Sequence, residues 1–160
     1  MTTIDTFFSG KRYATVGEDP SDAYGAALIR ALNQGDRHAV VVWPDAAGLE
    51  AAASDPSEYY PSLGDVSGEL DGIILNIEQD PERMLREVQT AIQHGVPRIW
   101  IENRCQAQDA VRYALDRGVE VVDNVCPLMV LDPHHIHWLH RKALDVFGKT
   151  PSVASGPAVR

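Results

Sequence analysis

Apolar positions along the chain fall into two alternating arrangements. One is a short continuous apolar run; the other is a longer stretch with apolar residues three or four apart. The runs Tyr13-Ala14-Thr15-Val16, His38-Ala39-Val40-Val41-Val42-Trp43 and Gly72-Ile73-Ile74-Leu75-Asn76-Ile77 read as strands, as do Arg98-Ile99-Trp100-Ile101 and Val119-Glu120-Val121-Val122. They do not alternate apolar with polar, which is the pattern of strands covered on both faces. Helical spacing fills the gaps. Ala27, Leu28, Ala31 and Leu32 predict a helix over 23–33, and alanine-rich 46–53 predicts a short one. Met84, Leu85, Val88, Ala91 and Ile92 predict a third, begun by Asp80-Pro81-Glu82 and ended by His94-Gly95. Ala107, Ala110, Val111, Ala114 and Leu115 predict a fourth over 106–117, closed by Gly118. At the ends of the chain, Ile4, Phe7 and Phe8 suit a short lid helix packing on the sheet edge. Ile136, Leu139, Ala143, Leu144 and Phe147 suit an extra C-terminal helix over 134–147.

Strands alternating with helices of about a dozen residues predict an α/β domain of three layers. The expected sheet is parallel and five-stranded, and right-handed crossovers favour the order 3-2-1-4-5. Residues 1–150 are expected to form a single domain and 151–160, rich in Pro, Ser and Gly, a flexible tail.

Composition narrows the function classes. The chain has 160 residues and a net charge of −9. Residues 1–80 hold 14 acids against 4 bases, and residues 81–160 hold 9 acids against 10 bases. No basic stripe exists for a polyanion, so neither nucleic acid nor an anionic membrane is expected as a partner. No apolar run approaches bilayer length and no signal-peptide layout opens the chain, which makes a cytoplasmic location the expectation. Cys105 and Cys126 form no close-spaced metal motif and are expected to be thiols.

The stretch Arg12-Tyr13-Ala14-Thr15-Val16-Gly17-Glu18-Asp19-Pro20 carries the main functional signal. A strand ends at a glycine and a helix starts a few residues later. In an open parallel sheet that turn faces the crevice where strand order reverses, and ligands bind there. Of a Gly-x-Gly-x-x-Gly pattern only Gly17 is present, because Asp19 and Asp22 stand at the other two positions.

The run Phe7-Phe8-Ser9-Gly10-Lys11-Arg12-Tyr13-Ala14-Thr15-Val16-Gly17 resembles the opening of the stand-alone coenzyme A-binding domain family. That family is Rossmann-like and related to the nucleotide-binding domain of the succinyl-coenzyme A synthetase alpha subunit. Further matches follow in order: Pro44, Tyr60-Pro61-Ser62-Leu63, Asp71-Gly72, Gly95-Val96-Pro97-Arg98-Ile99-Trp100-Ile101, Gly118-Val119-Glu120-Val121-Val122 and Cys126-Pro127-Leu128-Met129. The resemblance implies non-catalytic binding of coenzyme A across the carboxyl ends of the strands. Carried over by position, it assigns the diphosphate to Gly17, Glu18 and Asp19. The remaining contacts go to Trp43 and Pro44 after the second strand, Ile77 and Glu78 after the third, and Glu102-Asn103 after the fourth.

Against that pattern, Glu18, Asp19 and Glu78 place three acids where phosphate is expected. A carboxylate about 4 Å from a phosphate costs on the order of 1 kcal/mol in water and several at lower effective dielectric, so weak binding or another ligand is expected. Trp43 can stack an adenine or cap the core. His134, His135, His137 and His140 can share a helix face, which permits a zinc or nickel site but supplies no Cys pair or His-Glu-x-x-His spacing. Cys105, beside Arg104, is the better-placed thiol for reactivity; Cys126 is read as structural. No catalytic constellation stands out, so the sequence reads as a binding protein before an enzyme. The leading expectation is a nucleotide-binding homodimer with coenzyme A as ligand. The alternatives are a degenerate dimeric interaction module whose pocket is lost, and a metal or thiol site at the histidine-rich C-terminal helix.

Overall fold

The computed structural model describes residues 3–132. The expected helix over 134–147, its histidines and the tail over 151–160 lie outside those residues. Six parallel strands form one sheet: β1 (Arg12–Val16), β2 (His38–Val42), β3 (Glu58–Tyr60), β4 (Gly72–Leu75), β5 (Arg98–Ile101) and β6 (Glu120–Asp123). The order is β3-β2-β1-β4-β5-β6. Helices α1 (Thr3–Thr6), α2 (Ala23–Leu32), α3 (Ala46–Ala52), α4 (Pro81–Gln93), α5 (Gln108–Leu115) and α6 (Leu128–Leu131), with short 3-10 turns at Phe7–Ser9 and Leu63–Asp65, complete the described elements.

The α/β class and parallel sheet agree with the sequence pattern, but the strand count and one placement do not. The edge position expected for the 72–77 run belongs to β3, a three-residue strand that pairs Val40 with Glu58 and Val42 with Tyr60. Three residues are too few to show a period, and 55–58 reads from sequence as a loop. Strand β4 lies instead beside β1, pairing Tyr13 with Gly72 and Val16 with Leu75. Asp71 fixes that placement. Its carboxylate accepts from the backbone N–H groups of Lys11 (2.8 Å) and Arg12 (2.9 Å), and its own N–H donates to the Arg12 carbonyl at 2.8 Å. Glycine follows because a Cβ at position 72 would stand 3.1 Å from the rings of Phe7 and Tyr13.

Successive strand residues serve opposite faces, as the pleat requires. Ala14, Val16, Val40, Ile73 and Leu75 pack with Met84, Val88 and Ala91 of α4 and Ala110 and Ala114 of α5. Tyr13, Ala39, Val41, Ile74 and Trp100 pack with Leu28, Ala31 and Leu32 of α2 and with Leu128 and Met129 of α6. Helix α5 is shorter at both ends than its apolar periodicity suggests, since Ala107 offers no side-chain cap. The N-terminal aromatics cover the second face rather than the sheet edge. Phe7 lies edge-on to Trp100 with ring centroids 5.0 Å apart, and Tyr13 donates to the Phe7 carbonyl at 2.9 Å. Trp100 is fully buried, and its indole N–H is satisfied by the Val125 carbonyl at 2.7 Å.

Candidate functional site

Strand order reverses between β1 and β4, because the chain leaves β1 toward β2 on one side and continues from β4 toward β5 on the other. A cavity of about 500 Å³ lies at the carboxyl ends there, between the turn after β1 and the loop after β4. This is where an open α/β sheet offers a crevice to ligands.

Gly17 makes the first wall. Its φ is +84°, and a Cβ would overlap the Asn76 carbonyl oxygen and stand 2.8 Å from Ile77 Cγ1. The strand-end glycine is therefore demanded by close approach of the β1 and β4 ends, whatever binds above it. The helix starts beside the cavity hold anionic partners of their own. Asp22 caps α2 by accepting from the Gly25 N–H at 2.6 Å, and Asp80 caps α4 by accepting from the Arg83 N–H at 2.8 Å. Asp19 is half-buried and accepts from the Ser21 backbone (2.8 Å) and hydroxyl (2.6 Å), bonds that lower its pKa.

Below the opening, two carboxyl groups are buried side by side in one polar nest. Glu18 is 6% exposed and Glu102 4%. Burial raises both pKa values. Glu102 reaches about 8, with further repulsion from Glu18, while the Tyr24 hydroxyl and Arg104 pull it back down. Asn76 Nδ2 donates to Glu18 Oε2, and Asn76 Oδ1 faces Cys105 Sγ at 3.7 Å. Tyr24 and Cys126 hydrogen-bond at 3.4 Å between oxygen and sulfur. Glu102 Oε1 is buried without a hydrogen-bond partner. Burial also pushes the Tyr24 hydroxyl and both thiols upward, so Cys105 and Cys126 keep their protons at neutral pH. Neither thiol is in the activated state that nucleophilic chemistry needs.

Five acids and two arginines line the cavity. Formal charge overstates its negativity. Burial pushes the pKa of Glu102, below it, up to about 8 and raises that of Glu18, and Glu78 is paired with Arg104 at 3.2 Å. Arg104 occupies the third position of the 102–105 turn, closed by the Cys105 N–H to the Glu102 carbonyl at 3.4 Å, with φ +76°. Glycine is favoured there, and a β-carbon in that region costs roughly 1–2 kcal/mol. The ion pair with Glu78 is exposed and returns about 0–1 kcal/mol.

Among the sequence-predicted residues, the cavity brings together Gly17, Glu18, Asp19, Ile77 and Glu78. Trp43, Pro44 and Asn103 stand outside its lining. Trp43 is half-buried against the α2-side core, its backbone N–H bonded to the Tyr60 carbonyl at 3.0 Å, and Pro44 is exposed. Asn103 is the half-buried second residue of the 102–105 turn. Sequence reasoning did not single out Tyr24, Asn76 or Arg83. Asn76 carried a readable signal, a polar residue inside the 72–77 apolar run; Tyr24 and Arg83 carried none, because their relevance depends on which helix faces the opening. Among the described residues no group of three or more His, Cys, Asp or Glu could hold a metal. The histidines from His134 to His140 lie outside those residues. No described helix is long and apolar enough to cross a membrane.

The family model described as CoA binding domain matches residues 11–132. No curated protein matches the chain. Several solved structures share the fold. A hypothetical protein from Pyrococcus horikoshii OT3 is 20% identical with a TM-score of 0.61, covering 80% of this chain and 88% of its own. A conserved hypothetical protein from Pyrococcus furiosus is 19% identical with a TM-score of 0.59, covering 73% of this chain and 96% of its own. A protein from Thermus thermophilus is 15% identical with a TM-score of 0.59, covering 86% and 93% respectively.

Proposed function

The chain belongs to the CoA-binding domain family, and on that premise we propose that it binds coenzyme A, or a related nucleotide, without catalysing a reaction. The binding place is the cavity at the carboxyl ends of β1 and β4. The observation that carries this reading is the cavity itself, which lies at the point of strand reversal and is lined by Gly17, Arg83 and Arg104 among others. An extended nucleotide reaching along the strand ends passes Asn103 after β5 in one direction and Trp43-Pro44 after β2 in the other. The muted charge of Glu18 and Glu102 removes part of the repulsion that the sequence implies. A binding role without chemistry is supported by the protonated state of Cys105 and Cys126.

One observation favours a second reading, a dimeric interaction module that no longer takes nucleotides. Asp22 and Asp80 already occupy helix-start amides that a phosphate would use.

Calorimetric titration and thermal shift with coenzyme A, ATP and NAD separate the two. Coenzyme A at 100 times its dissociation constant raises stability by about 2.7 kcal/mol. No shift with any nucleotide at millimolar concentration rejects the binding reading and leaves the interaction module.

A further inference from the structure

We infer that Arg104 is the residue that grips an anionic group of the ligand, and that Glu78 is its resident competitor, displaced when the anion arrives. This rests on the cavity being a nucleotide site and names how that site holds its charge.

Four observations meet at Arg104. Its backbone adopts φ +76° at a turn position that glycine fills most easily. Among the described residues one other non-glycine has positive φ, and it is Asn124, a type that tolerates this region. The turn alone therefore does not call for arginine. Second, Arg104 lines the cavity, and the other cation lining it is Arg83. Third, the Arg104 side chain is 75% exposed, and its partner Glu78 lines the same cavity at 3.2 Å. An exposed pair of that kind is weak and readily exchanged. Fourth, Arg83 pairs only loosely along its own helix, 3.9 Å from Glu87, and Glu87 is absent from the cavity lining.

A guanidinium matches a phosphate group bidentately, with two parallel charge-assisted bonds, and phosphate carries more charge than the carboxylate it replaces. Glu78 follows β4 and Arg104 follows β5, neighbouring strands whose ends both face the opening. Release of Glu78 leaves Arg104 free in the cavity that Arg83 also lines, without any rearrangement of the sheet. Of the other acids nearby, Glu102 and Glu18 are buried with raised pKa values, while Asp19, Asp22 and Asp80 accept from Ser21, the Gly25 N–H and the Arg83 N–H. The Glu78 carboxylate is thus the charge that an incoming phosphate must outcompete at Arg104.

The test titrates wild-type protein, Arg104→Gln, Glu78→Gln and Arg104→Gly with coenzyme A by calorimetry. Inorganic pyrophosphate is followed in parallel by NMR on the arginine side-chain N–H signals. Arg104→Gln is expected to weaken binding of both probes by ~10-fold or more, and Glu78→Gln to tighten it by ~3-fold or more. Arg104→Gly is expected to raise the melting temperature while weakening binding, a combination that a purely structural arginine does not produce. Unchanged affinity in Arg104→Gln, or weaker binding in Glu78→Gln, overturns the inference even if wild-type protein binds coenzyme A. Pyrophosphate binding that depends on Arg104 upholds it even if coenzyme A fails to bind. Binding of neither probe to wild-type protein rejects both readings.

Discussion

Gly17 passes so close to Asn76 that a β-carbon at position 17 would overlap the Asn76 carbonyl oxygen. The contact joins the ends of the two central strands, and both residues line the cavity. Gly17→Ala must either push β4 away or flip the turn out of its φ +84° conformation. The expected cost is about 2–4 kcal/mol, from left-handed backbone strain plus overlap with a backbone atom that has little room to yield. Urea unfolding measures it; a loss under ~1 kcal/mol would show that the turn relaxes freely.

The Glu102 carboxyl has an ordinary value of 4.5 and a folded value of about 8. An acid held more strongly protonated in the fold favours folding while both states are protonated. That advantage is lost as pH rises from 4.5 through about 8. Glu102→Gln removes the titration. The variant is expected to show a flatter decline in stability between about pH 5 and about pH 9, crossing wild type toward the alkaline end. Parallel slopes for the two proteins would mean that Glu102 is ionised at neutral pH.

Glu58 works in the opposite sense at the amino ends of the strands. Arg12 donates to both of its oxygens, at 3.0 Å through Nε and 2.8 Å through the terminal nitrogen, and lowers its pKa. Tyr60 adds a bond at 2.9 Å and His38 lies 3.1 Å away. Stability from Glu58 is present above the usual glutamate range and lost as pH falls through its lowered folded value. Its side chain is 35% exposed, and with solvent screening the contribution is about 0.5–1 kcal/mol. Glu58→Gln is expected to lose that amount at neutral pH, with the difference from wild type shrinking as pH falls below the ordinary glutamate value of 4.5, by urea unfolding.

The two thiols supply a check on the enzyme alternative. Burial raises both pKa values, and Cys126 is further enclosed with Tyr24. Their reaction with a disulfide reagent at neutral pH is expected to be well below that of an unhindered thiol, accelerating on denaturation. A fast-reacting thiol in folded protein would contradict this and reopen the thiol reading.

Much of the fold can be read from the chain because the central strands are continuous apolar runs and helix boundaries carry strong local chemistry. Asp22, Asp80 with Pro81, and Gly95 act within a few residues of themselves, so no partner need be known. The short edge strand at 58–60 has no such signature. Its place depends on β2 and on the Arg12–Glu58 fork, whose members are 46 residues apart. The cavity divides in the same way. Gly17, Glu18, Asp19, Ile77 and Glu78 are found by counting from strand ends, whereas Tyr24, Arg83 and Arg104 enter through the orientation of helices and a turn.

By itself the sequence determined an α/β domain with parallel strands, a glycine turn after the first of them and an acidic crevice. Local patterning suffices for those, since burial on both faces, capping and backbone permissiveness are properties of neighbouring residues. Tertiary structure decided which strand lies beside β1 and what the acids of the crevice amount to. Charge is not settled by residue type: the same carboxyl group is pushed toward its protonated form at Glu102 beside a buried Glu18, fixed in its own turn at Asp19, or held by Arg104 at Glu78, according to what the folded chain places around it.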